Sequence, residues 1–256
     1  MKKIITVALI CVVAIGAIIG VSIFIKSRVE FNKLKNTPLN LPDGFTYTAH
    51  AGCVNTPDDS LESIDAGVTY NAPIVEIDLN FNADNVPVLS HETPQGGEVT
   101  LDEAFERISK YENLKVNIDI KSTSNLQEVV ALAEKYGITD RIFFTGVTTD
   151  FVSAVREDCP NIPYYLNVEV LPAKKQSKEY LLSLVQLVKE NGAIGINFNK
   201  DSATKELVDI FHENQLLVSI WTVNKEKDMY KILVLAPDNI TTRQPDLIMQ
   251  ILENSK

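Results

Sequence analysis

Glu76 and Asp78 stand two residues apart in VEIDLNFNADNVPVLSHE, residues 75–92, interleaved with Val75, Ile77 and Leu79. Side chains two apart on a strand share a face, so this pattern sends two carboxylates one way and the apolar residues the other. Asn117, Asp119 and Lys121 alternate in the same manner in NIDIK. Three carboxylates aimed at one small volume repel one another unless a cation neutralises them. Glu76, Asp78 and Asp119 together therefore imply a hard divalent ion, calcium or magnesium, held by oxygen ligands. Taken singly, each acid is as well explained as a solvated strand end or a partner of Lys121. Imidazole is the side chain best suited to moving protons near neutral pH. Of the three histidines, His50 ends TYTAH and His91 follows VPVLS, while His212 lies in VDIFHENQ on a predicted outer helix and has no assigned role. His50 and His91 could serve as base and acid on either side of a metal-bound group, although each alone could be an ordinary hydrogen-bonded loop histidine.

These residues need a scaffold that brings strand ends together. From Thr46 onward, β-rich runs alternate with helix-periodic runs: TYTAH then SLESIDAGVTY; IVEIDLN and VPVLS then TLDEAFERISKY; LKVNIDIK then LQEVVALAEKYG; RIFFTG then DFVSAVRED. The alternation continues with PYYLNVEV then KEYLLSLVQLVKENG, AIGINF then TKELVDIFHENQ, LLVSIWT then KDMYKILVLA, and NITT then PDLIMQILE. Leu181, Leu184, Val185 and Val188 line one predicted helix face, and Val129, Val130, Ala133 and Tyr136 another. Eight βα units in residues 45–256 predict an α/β fold of the closed (β/α)₈ TIM-barrel type, whose active site lies at the C-terminal ends of the strands. No glycine-rich G-x-G-x-x-G loop follows the first strand, which argues against an open nucleotide-binding sheet. Trp221, ending the seventh barrel strand, joins the same mouth.

The segment from Ile4 to Ile25 carries no charge and is flanked by Lys2 and Lys3 on one side and Lys26 and Arg28 on the other. It is long enough to cross a bilayer, which takes about 20 residues. Residues 1–28 are therefore expected to be a single-pass transmembrane signal anchor, 29–44 a Pro- and Gly-punctuated tether, and the barrel a domain on the extracytoplasmic side of the cell membrane. The 256 residues hold 34 acidic against 24 basic side chains, net −10, and the acids all lie beyond Arg28. So acidic a domain repels nucleic acid at long range, and an anionic substrate needs a local cation. Three cysteines make neither a metal pattern nor a disulfide framework. Cys53 and Cys159, at opposite ends of a predicted barrel, are expected to stay unbridged.

AHAG (49–52), SLESIDAG, VEIDL, VPVLSHE, NIDIK, IWTVN and ITTRQPDLI form, in this order, a set that resembles the glycerophosphodiester phosphodiesterase family. The resemblance covers Thr46 to the end. It implies a metal-dependent phosphodiesterase barrel that cleaves diesters between glycerol and an alcohol. By matched motif, His50 and His91 resemble the general acid/base pair, and Glu76 and Asp78 two metal ligands. Asp119 stands where the third ligand is usually a glutamate, Lys121 resembles the lysine that steadies phosphate, and Trp221 an aromatic at the substrate mouth. Departures accompany the likeness. The usual H-R-G reads His50, Ala51, Gly52, as in some members of the wider family, and Asp59 falls in a P-E-N-T-like element that reads Pro57, Asp58, Asp59, Ser60. The insertion common after His91 is reduced to TPQGGE, so an open mouth is expected, suited to lipid headgroups or glycerol phosphate polymers. A phosphatidylinositol-specific phospholipase C, a sphingomyelinase D-like lyase and a catalytically silent diester-binding barrel are the alternatives.

Overall fold

The computed structural model describes residues 21–255. Among these, nine strands form one sheet. They are β1 (Thr46–Ala49), β2 (Ile74–Phe81), β3 (Pro87–Leu89), β4 (Lys115–Ile120), β5 (Ile142–Val147), β6 (Tyr164–Asn167), β7 (Gly195–Asn199), β8 (Leu217–Trp221) and β9 (Asn239–Thr242). All but β3 run parallel, and β1 pairs with both β2 and β9, closing an eight-stranded α/β barrel. A helix follows almost every barrel strand, as the alternating runs predict.

The strands form where apolar residues can be buried on both sides. In β2 all residues but Asn80 are buried. Val75 packs outward, under the helix Leu61–Thr69, so closely that a Cβ on Gly67 would fall 2.7 Å from its Cγ1. Val116, Ile118 and Ile120 repeat the pattern on β4 and are buried. That helix is capped by Ser60, whose hydroxyl accepts from Ser63 N at 3.1 Å, and the helix Leu101–Ser109 starts with a Thr100–Glu103 capping box. Caps of this kind are worth about 1 kcal/mol each.

The stripe Leu181, Leu184, Val185 and Val188 is buried as expected along the helix Lys178–Glu190. On the helix Leu126–Lys135 the buried stripe is Leu126, Val129, Leu132 and Ala133, while Val130 and Tyr136 are half-buried. Val130 lies about 100° round the helix from Val129, on the flank of the stripe, and Tyr136 is the C-cap residue just past the last helical position.

One unit of the chain ends at Leu39 and the second begins at Asn40. Residues 21–35 are helical, including part of the expected tether, with Val21, Ile23, Phe24, Ile25 and Val29 exposed. The expected membrane span lies mostly outside the described residues. Among those described, no helix is long and apolar enough to cross a membrane.

Candidate active site

Strand register assembles the acidic group. β2 and β4 pair in parallel with Glu76 opposite Asn117 and Asp78 opposite Asp119. One oxygen from each of Glu76, Asp78 and Asp119 lies within 4.8 Å of the others. β1 follows β2 only as far as Ala49, paired with Val75. Beyond that point the chain turns away, and Ala51 N donates to Glu76 Oε2 at 2.7 Å. Next to β4, Thr145 Oγ1 lies 2.8 Å from both Asn117 Oδ1 and Asp119 Oδ1, tying the third acid to β5.

The group is short of positive charge. Burial raises the Glu76 carboxyl well above its ordinary pKa, and the neighbouring Asp78 and Asp119 push it in the same direction. Lys121 Nζ sits 2.9 Å from Asp78 Oδ1 and also pairs with Asp119. Burial alone would lower the pKa of that ammonium, but the two aspartates outweigh it and raise it. A buried carboxyl that is costly to ionise, beside two further carboxylates within coordination range, fits a hard divalent cation with oxygen ligands.

His50 follows β1 and its Nδ1 lies 2.9 Å from Ala51 O. A carbonyl oxygen can only accept, so Nδ1 carries the proton and Nε2 is the basic nitrogen. Glu76 Oε2 is 3.6 Å from the same Nδ1. Burial lowers the His50 pKa, the Ala51 carbonyl opposes this, and Arg243 adds to it. His91 is more open, with its side chain 60% exposed and Nδ1 3.0 Å from Glu92 Oε1.

All seven residues singled out from the sequence, His50, His91, Glu76, Asp78, Asp119, Lys121 and Trp221, line one cavity of about 850 Å³ at the C-terminal mouth. Asp59, in the P-E-N-T-like element, is a clamp. Its Oδ1 accepts from Asp78 N at 3.3 Å and its Oδ2 from His91 N at 3.0 Å, linking a candidate ligand to a candidate acid. Burial, then Asp78, pushes its carboxyl up to about 6. Between His91 and the β-bridge at Thr100 the chain forms a short connection without helix or strand. Cys53 and Cys159 are separate, buried thiols.

Sequence reasoning left several lining residues without a role: Asp58, Glu92, Thr145, Asn224 and Arg243. Thr145 could have been found from its inward position in RIFFTG. Arg243 lies inside ITTRQPDLI, but nothing in that string shows which way its side chain reaches.

The fold has counterparts among known proteins. A putative glycerophosphoryl diester phosphodiesterase from Silicibacter pomeroyi DSS-3 superposes with a TM-score of 0.70 at 18% identity, covering 86% of this chain and 97% of that one. An Oleispira antarctica phosphodiesterase solved with the product sn-glycerol-3-phosphate gives 0.68 at 19% identity, covering 83% and 97%. A glycerophosphodiester phosphodiesterase of Bacillus altitudinis is 27% identical over 163 residues, 61% of this chain and 63% of that protein. One from Bacillus subtilis (strain 168) is 23% identical over 161 residues, 59% and 53%. The chain thus spans less than two thirds of the length of these two relatives. The model of the glycerophosphoryl diester phosphodiesterase family matches residues 92–247, a stretch that contains Asp119, Lys121 and Trp221 and begins directly after His91. With a barrel of that architecture and most of its length inside the match, the chain belongs to the glycerophosphoryl diester phosphodiesterase family.

Proposed function

We propose that this chain is a metal-dependent phosphodiesterase that hydrolyses glycerophosphodiesters, lipid headgroups or glycerol phosphate polymers by histidine acid/base catalysis. The observation that carries this is the group of ligand oxygens from Glu76, Asp78 and Asp119, within 4.8 Å of one another and beside the imidazole of His50. These three residues would hold the divalent cation, which when bound supplies neutralising charge at a phosphoryl oxygen. His50, neutral through burial and with Nε2 free of its proton, takes a proton from the attacking hydroxyl or water. His91, held at its backbone by Asp59 and at its ring by Glu92, gives a proton to the departing alcohol. Asp59 keeps the two sides of the site in register. Lys121, paired with Asp78 and Asp119, also steadies the phosphate, and Trp221 forms part of the wall against which the alcohol packs.

Hydrolysis of a chromogenic phosphodiester with and without chelator tests the proposal. Activity should vanish on chelation and return with calcium or magnesium; turnover that persists without any metal would refute it. The short connection after His91 favours large substrates, so lipid headgroups or glycerol phosphate polymers should be turned over as well as small soluble diesters. Exclusive turnover of small diesters would defeat that part.

The uncharged run from Ile4 to Ile25 supports a membrane anchor, and the barrel is proposed to lie outside. Carbonate extraction and protease protection of the full chain in membranes test it. Release by carbonate would exclude an anchor, and protection of the barrel in sealed right-side-out cells would reverse its orientation.

A further inference from the structure

The cavity poses an electrostatic problem for any diester. Its lining includes Asp58, Glu76, Asp78, Glu92 and Asp119 against Lys121 and Arg243. Lys121 is already paired, with its ammonium between Asp78 and Asp119 and its side chain 21% exposed. Arg243 is placed differently. Its backbone follows β9 and is fixed on both sides: its N–H donates to Asn224 Oδ1 at 2.8 Å and its carbonyl accepts from Val54 N at 2.9 Å. Its guanidinium then reaches the mouth beside His50, where Nε lies 3.4 Å from Nδ1. Because that Nδ1 carries the proton shared with Ala51 O, it has no lone pair for Nε, and the contact is proximity without a hydrogen bond. The charged partner of the guanidinium is Asp58, whose Oδ1 is 3.1 Å from Nη2, with side chains 40% and 59% exposed. An ion pair so open to water is weak, because solvent screens it. A phosphodiester anion, able to take two parallel N–H donors from one guanidinium, competes well with it.

We propose that Arg243 is a substrate-binding cation of this site: its guanidinium leaves Asp58, the carboxylate that competes for it, to engage the non-bridging oxygens of the phosphodiester beside His50. This rests on the phosphodiesterase reading of the same cavity. It also places the two cations on different sides of the anion. Lys121 steadies the phosphate from beside the acids of β2 and β4, and Arg243 neutralises the incoming anion from the β9 side.

The test compares the full chain with Arg243→Gln, Arg243→Lys and Asp58→Asn in magnesium buffer. Binding of inorganic phosphate is measured by calorimetry, and KM and kcat with a chromogenic phosphodiester. Arg243→Gln should weaken phosphate binding and raise KM at least tenfold, with a smaller change in kcat. Arg243→Lys should fall between, since an ammonium keeps the charge without the two-pronged geometry. Asp58→Asn should tighten phosphate binding by removing the competing carboxylate. Thermal midpoints of the variants, whose altered side chains are substantially exposed, report that the fold is retained. Phosphate affinity and KM of Arg243→Gln within twofold of the unaltered chain would overturn the proposal, as would an unaltered chain that binds no phosphate. If the unaltered chain binds phosphate through Arg243 but turns over no diester with any metal, the enzymatic reading fails and the assignment of Arg243 stands.

Discussion

Glu76 combines a carboxyl group, near-complete burial and two acidic neighbours. Its pKa is raised by burial first and then by Asp78 and Asp119, so the folded chain retains a proton that the unfolded chain gives up near the ordinary glutamate value of 4.5. Linkage then has a definite sign. Where the folded state binds more protons, stability falls as pH rises from the unfolded pKa toward the raised folded one. Asp59 acts in the same direction between 3.8 and about 6. Metal-free protein should therefore melt at progressively lower temperature as pH climbs through this window, and Glu76→Gln should flatten the decline and abolish stabilisation by added calcium or magnesium. Melting curves across pH, with and without metal, check this; a Glu76→Gln chain that melts below the unaltered one at pH 8 without metal would contradict it. For catalysis, His50→Ala and His91→Ala should each reduce kcat by about 10²–10⁴-fold, the usual contribution of a positioned acid or base. Unchanged turnover in either variant would remove that residue from its role. These histidines and acids were legible in the sequence because residue type limits their chemistry and alternation limits their direction. Arg243 was not, because a long flexible side chain after a strand can reach several ways.

At the scale of elements, the site depends on how closely strands can approach. Gly146 sits in β5 at φ 71°, where a Cβ would lie 2.4 Å from Ile120 O and 2.9 Å from Asp119 Oδ1. Here the β5–β6 register shifts between Phe144 and Val147, and Gly146 N donates to Asn167 Oδ1 at 3.0 Å. The glycine permits both the left-handed backbone and the approach to β4. Gly146→Ala should cost about 2–4 kcal/mol through strain and crowding, measured by denaturant unfolding, and should also depress activity by displacing Asp119. Gly195 packs as tightly against β8, a Cβ there falling 2.1 Å from Leu217 O, but away from the acids. Gly195→Ala should lower stability with a smaller effect on the activity of the folded fraction. Equal loss of specific activity in both folded variants would argue against a special part for Gly146. The alternation of β and α runs was readable because periods of two and 3.6 differ so plainly. The irregularity at Gly146 was not, since it follows from contact with a strand about 25 residues earlier in the chain.

At the scale of the molecule, the proposed function requires a cavity in an acidic chain to receive an anion. Long-range repulsion slows the approach of an anionic substrate and weakens as salt screens it. Association with a diester should therefore quicken between low and moderate ionic strength, observable as a rise in kcat/KM before salt weakens the contact with Arg243. A monotonic fall from the lowest salt would indicate that the local cations dominate at all distances. Residue types and their alternation were enough to specify a barrel, its eight strands, the faces bearing Glu76, Asp78 and Asp119, and the pair of histidines at strand ends, because all of these follow from local periodicity and intrinsic chemistry. The rung at which Asp78 meets Asp119, the reach of Lys121 across to Asp78, the clamp made by Asp59 and the reach of Arg243 toward His50 came only with barrel closure. Each depends on distances between segments far apart in the chain, and no local pattern encodes those distances.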